Sequence, residues 1–174
     1  YVVIKNNNEI FSQEIVNADS NFFAVFTFPL LEGNAATVLK DPNSLVITDE
    51  MALKYFGTTH AVGKILEFKT GDEFKPRTIT GIAKKAPQNS SIKFDMVLPF
   101  TDNNNEWIGF YLSTYILLEK NADAAKVEAK FDKIFLARAK DELKMAKEKF
   151  DFKDNVHFGL QPLTAMHTDN EYDQ

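Results

Sequence analysis

Apolar positions along this 174-residue chain follow two periods, and the change from one to the other marks out the elements. Residues 1–4 read as a strand and Asn6-Asn7-Asn8 as a turn. Residues 10–16 form a weaker second strand. Asp19-Ser20-Asn21 offers an N-cap to the run Phe22-Phe23-Ala24-Val25-Phe26, whose Phe22, Phe23 and Phe26 would share one side of a short helix. That side is expected to plug onto a sheet. Pro29 and Gly33 bracket Leu30-Leu31, and Asp41-Pro42-Asn43-Ser44 is a turn.

The organising stretch is 45–66. Leu45, Val46 and Ile47 form a short β-branched, apolar run. Thr48 is placed to cap a helix whose first turn carries Asp49 and Glu50 against the positive end of its dipole. Ala52, Tyr55 and Phe56 fall at helical spacing, Gly57 sits where a left-handed residue would end the helix, and Gly63 marks a tight turn. Ile65, Glu67 and Lys69 then alternate with Leu66 and Phe68, and Thr70-Gly71-Asp72 turns the chain into a strand over 74–83. After a polar loop at 86–91, residues 94–100 make another strand, with Pro99 at its end or at a sheet edge.

Beyond the polar stretch 101–106, the best candidate for a lobe boundary, residues 111–118 read as a strong strand. Asn121 or Asp123 caps a long helix over 124–149. Its apolar stripe begins Val127, Phe131, Ile134, Phe135 and drifts to Leu136, Leu143, Phe150. The drift fits one curved helix or two helices breaking near 137–141. Residues 156–163 are a last strand, and the tail from Thr168 is polar. The pattern is that of an α+β domain.

Composition narrows the chemistry. Hydrophobic content is 44 % and charged content 26 %, ordinary for a folded domain, and 16 Phe against one Trp favour sheet-packed cores. A net charge of −5 without a basic stripe argues against nucleic acid as a partner. With no cysteine there is no disulfide, thiolate zinc site or Cys nucleophile. Tyr1 leads directly into strand-like sequence, as expected of an excised piece. The longest apolar run, 22–31, is broken by Thr27 and Pro29 and falls short of the ~20 residues of a membrane helix, so the piece reads as soluble.

Candidate sites mostly fail on spacing. Five residues separate Gly57 from Gly63, and Ile65 follows Lys64, whereas a phosphate-binding loop needs four and a Ser or Thr. The loop also leaves a helix and enters a strand, the reverse of the required order. His60, His157 and His167 make no metal-binding pair. Ser90-Ser91 lacks a nucleophile elbow. Asp102 with Asn103, Asn104 and Asn105 lacks the alternation, the Gly and the distal Glu of a calcium loop. No catalytic, cofactor-binding or metal residue is expected, and Thr48, Gly57 and Gly63 are expected to be structural.

The order of segments resembles one family. Asp19-Ser20-Asn21-Phe22-Phe23, Phe26-Thr27-Phe28-Pro29-Leu30-Leu31-Glu32-Gly33, Leu45 through Gly57 with Ala61-Val62-Gly63-Lys64, and Ile79-Thr80-Gly81-Ile82-Ala83 carry it. Pro87-Gln88-Asn89-Ser90, Ile92-Lys93-Phe94-Asp95, Thr114-Tyr115-Ile116-Leu117-Leu118 and Leu160-Gln161-Pro162-Leu163 continue it. Together, over roughly 17–167, they resemble the MacB-like periplasmic core domain of FtsX-like ABC-transporter permeases, in the form common among Bacteroidetes. Asn34, Lys84-Lys85 and Ser91 depart from the family pattern at loops.

The resemblance implies a domain outside the inner membrane, between the first two transmembrane helices of a permease. It implies a single two-lobed core domain over 1–174, with a β-rich distal lobe from about 22–105. A membrane-proximal, porter-like α/β lobe would be built from about 1–21 plus 106–174. It further implies no catalysis and no cofactor. An ATP-binding subunit would act through the membrane helices, a periplasmic partner or substrate would be served, and the permease would be a dimer. Transport direction and cargo are not implied, since such families export peptides and drugs, release lipoproteins or regulate division. A stand-alone surface binding module and a periplasmic hydrolase are the competing readings. Flanking apolar spans would exclude the first, and a buried His, Ser and Asp cluster would revive the second.

Overall fold

The computed structural model describes residues 2–6, 9–13, 15–101, 106–109, 111–150 and 156–165. It forms two compact units, Tyr1–Asp102 and Asn103–Gln174. The first is an α+β unit built on one mixed sheet.

Its strands are β1 (Val2–Asn6), β2 (Glu9–Gln13), β3 (Ile15–Ala18), β4 (Leu30–Glu32), β5 (Ser44–Thr48), β6 (Ile65–Thr70), β7 (Glu73–Ala83) and β8 (Met96–Pro99). They run in the order β2-β1-β6-β7-β5-β8-β3, with β4 also on β7. The eleven residues of β7 serve as a spine. Its first half holds the β6 hairpin, from Thr70↔Glu73 to Ile65↔Thr78. Its second half holds β5 in parallel, and Ile82 and Ala83 also pair with β4.

The pairing of β5 explains its sequence. A strand flanked by β7 and β8, with packing above and below, has no polar face, and all five of its residues are buried. Leu45 and Ile47 enter one core cluster with Met51, Ala52 and Tyr55 of α2 (Asp49–Phe56) and with Ile79, Ile82, Met96 and Leu98. Val46 points the other way, into a second cluster with Phe22, Phe23, Val38, Leu39, Val97 and Phe94.

Helix α1 (Phe22–Val25) is only four residues long, and Asn21 makes no side-chain cap. Its place is fixed instead by aromatic packing. Phe22 lies 5.0 Å from Phe23, 5.6 Å from Phe28 and 5.8 Å from Phe94, ring centre to ring centre. Here the expected apolar plug packs on the sheet.

A bulge in β7 ties loop to strand. Opposite β5, Leu45 pairs with Ile79 and Val46 with Gly81, leaving Thr80 extra. The Thr80 hydroxyl donates to the carbonyls of Val38 (2.6 Å) and Leu45 (3.2 Å). Gly33, at φ 100°, faces the same place: a Cβ there would sit 2.7 Å from the Thr80 carbonyl oxygen and from Val38 Cγ1.

The N-terminal strands β1, β2 and β3 belong to this sheet: β1 pairs with β6 through Ile4↔Phe68 and Lys5↔Glu67, and β3 runs parallel to β8. The expected second strand over 10–16 is split between β2 and β3. Most of the stretch expected as the lobe boundary, residues 102–105, lies outside the described residues, as does the tail from Thr168.

In the second unit the long helix is two, α3 (Ala124–Arg138) and α4 (Lys140–Phe150), joined at Ala139. Asp123 is the cap, accepting from the Lys126 amide at 3.3 Å. Phe135, Ala139 and Ala146 are buried, whereas Ile134 and Leu136, placed on the stripe by sequence, are 51 % and 57 % exposed.

Neither strand expected in this unit is one. In 156–163 the amides that a ladder would use go to helix carboxylates. Phe158 N–H donates to Asp132 (3.0 Å) and Leu160 N–H to Glu128 (2.7 Å), and a 3-10 turn follows at Leu163–Ala165. Residues 111–118 are exposed throughout and form no strand.

Candidate functional site

The stretch with the most suggestive sequence, 57–64, forms a scaffold. Gly57 takes φ 67° and its N–H closes the helix on the Leu53 carbonyl at 2.9 Å. Gly63, at φ 86°, gives its N–H to Ile79 O (2.7 Å), and Ile79 N–H returns to Lys64 O (2.8 Å). A phosphate cradle needs such amides directed outward; these are used within the sheet. The Lys64 ammonium lies 4.8 Å from the centre of the Phe56 ring, a cation–π contact on the protein's own surface. His60, on the same loop, contacts Glu32 of β4 and takes its backbone N–H to Thr58 Oγ1 at 3.1 Å.

The densest polar constellation lies at the start of α2. Thr48 Oγ1 accepts from Met51 N–H at 3.3 Å, as its sequence position predicts. Asp49 Oδ1 accepts from the amides of Glu50 (3.1 Å) and Lys85 (3.2 Å). The Lys85 ammonium pairs with Glu50, and that hydrogen bond and charge raise its pKa.

Asp95, just before β8, completes the constellation. Its carbonyl takes the Thr48 N–H at 3.0 Å, and its carboxylate accepts from Gln13 Nε2 at 2.5 Å. Gln13 Oε1 in turn accepts from Lys54 at 3.1 Å. The Lys54 ammonium stands 5.4 Å from the ring centres of both Phe11 and Tyr55. Tyr55 is buried with its hydroxyl unpaired, and burial, then the Asp95 charge, push its pKa up to about 12.

Beside this network Lys85, Ala86, Gln88, Lys93, Phe94 and Asp95 line an open cleft of about 290 Å³. Its charges act as ties: β2, both ends of α2 and the segments just after β7 and just before β8 are drawn together by Gln13, Lys54, Glu50, Lys85 and Asp95. Nothing in this set joins a nucleophile to a base. The sequence could not reveal it, because Gln13 and Asp95 stand 82 residues apart.

The remaining candidates are dispersed. Ser90 donates its hydroxyl to Ile92 O at 2.7 Å, spending it on its own loop. In the second unit His157 Nδ1 meets Asp132 at 3.0 Å, and this bond, with the Phe158 amide, lowers the Asp132 pKa. His167 and Asp102–Asn105 lie outside the described residues. Among the described residues no group of three His, Asp or Glu is placed to hold a metal, and no helix is long and apolar enough to cross a membrane.

With the scaffold in view, the relationships of the chain can be stated. Residues 1–134 match the family model of the MacB-like periplasmic core domain. The chain belongs to this family. Members are periplasmic domains of MacB/FtsX-like ABC-transporter permeases. Two solved structures agree in fold. A domain assigned to a permease protein of Porphyromonas gingivalis matches with a TM-score of 0.64 and 23 % identity, over 92 % of this chain and 70 % of that one. The periplasmic region of MacB from Actinobacillus actinomycetemcomitans matches with a TM-score of 0.55 and 13 % identity, over 85 % and 72 %. The extracellular domain of the noncanonic ABC-type transporter YknZ from Gram-positive bacteria matches with a TM-score of 0.43 and 22 % identity, over 57 % and 49 %. No curated protein matches the sequence at a significant level. The 45–66 stretch lies within the matched residues, and its glycines and cap serve geometry.

Proposed function

We propose that this chain is the extracytoplasmic part of an ABC-transporter permease and that it transmits the work of cytoplasmic ATP hydrolysis to a substrate or partner in the periplasm. The family match over residues 1–134 carries this reading. The construction of the first unit supports it. A strand buried on both faces, a capped helix and a cross-braced cluster of Gln13, Lys54, Glu50, Lys85 and Asp95 make a body that moves as a piece, as mechanical coupling requires. In this reading ATP is bound by a separate subunit or domain, two permease copies act together, and the chain itself performs no chemistry.

The chain has no cysteine, so a single introduced thiol reports cleanly on its surroundings. Leu53→Cys, at an exposed position of α2, is introduced into the full-length protein and treated in spheroplasts with a membrane-impermeant maleimide. Labelling before lysis of the inner membrane is expected. Labelling only after lysis contradicts the proposal.

A further inference from the structure

We draw no further inference here: the strongest candidate, the open cleft between the loop after β7 and the start of β8, belongs to the network already described, its Lys85 and Asp95 being tied to Glu50 and Gln13, and nothing in the structure shows what would fill it.

Discussion

Gly33 and Gly57 both have positive φ, but for different physical reasons, and substitution separates them. A Cβ at Gly57 meets nothing within 4 Å, so Gly57→Val carries only backbone strain, about 1–2 kcal/mol. Gly57→Asn, whose side chain tolerates the left-handed region, is expected to cost less. At Gly33 the added Cβ is also driven into the Thr80 carbonyl and Val38. Gly33→Ala is therefore expected to cost about 2–4 kcal/mol, the range of strained, overpacked sites. Denaturant unfolding of the three variants ranks them, and equal midpoints for Gly33→Ala and the parent contradict the assignment. The positive φ of Gly57 was legible from the helix pattern before it. The crowding at Gly33 was not, because it depends on a bulge 47 residues away.

Tyr55 makes the second residue-scale prediction. Its buried hydroxyl lacks a partner, so Tyr55→Phe removes a desolvated group and keeps the ring contact to Phe11 at 5.0 Å. The variant is expected to equal or exceed the parent in stability by about 0–1 kcal/mol. The sign of the pH dependence follows from the raised pKa. The folded state favours the neutral phenol, so its contribution is complete below the unfolded value of 10.0 and falls away as pH rises towards about 12. Thermal melts of parent and Tyr55→Phe between pH 9 and 12 should diverge in slope. Parallel curves contradict the origin of the shift.

Among elements, those whose partners lie close in sequence were legible, and those held by distant groups were not. The β6–β7 hairpin, β5 and capped α2 carry their own turns, periodicity and caps. Thr48→Ala should cost about 1 kcal/mol, read as a lowered melting temperature, and Thr48→Ser or Thr48→Asp should restore most of it. The break between α3 and α4 was anticipated only as one of two options, since Ala139 is a good helix former and no Gly or Pro marks the spot.

Residues 156–163 misled for a clear reason. Apolar alternation is blind to Asp132 and Glu128, which accept the amides that a neighbouring strand would have taken. An Asp132→Ala variant should loosen 156–160, raising hydrogen exchange at Phe158. Below the depressed pKa of Asp132 the parent should behave as the variant does, because that carboxylate's contribution is lost as pH falls through the folded value. Unchanged exchange at Phe158 contradicts it.

At the scale of the molecule, sequence supplied the fold class and the family, because six or more weak segments in order are jointly specific. Strand pairing was not legible, since it is a long-range choice: β1 selects β6 and β3 selects β8. No catalytic candidate gained support from geometry. The polar cluster at the start of α2 links elements, and the glycine loop turns its amides inward. The proposed role is thus mechanical: the first unit would be a stiff body moved by ATP hydrolysis elsewhere.

Electron-spin distance measurements on the reconstituted permease with its ATP-binding partner test that claim most directly. Leu53→Cys and Glu73→Cys, both at exposed positions of the first unit, carry the labels. With both in one copy diluted by unlabelled permease, the internal distance should be the same in apo, ATP-bound and vanadate-trapped states. With Leu53→Cys alone in each copy, the distance between copies should change across those states. An internal distance that shifts with nucleotide, or a distance between copies that never does, would contradict this mechanical role.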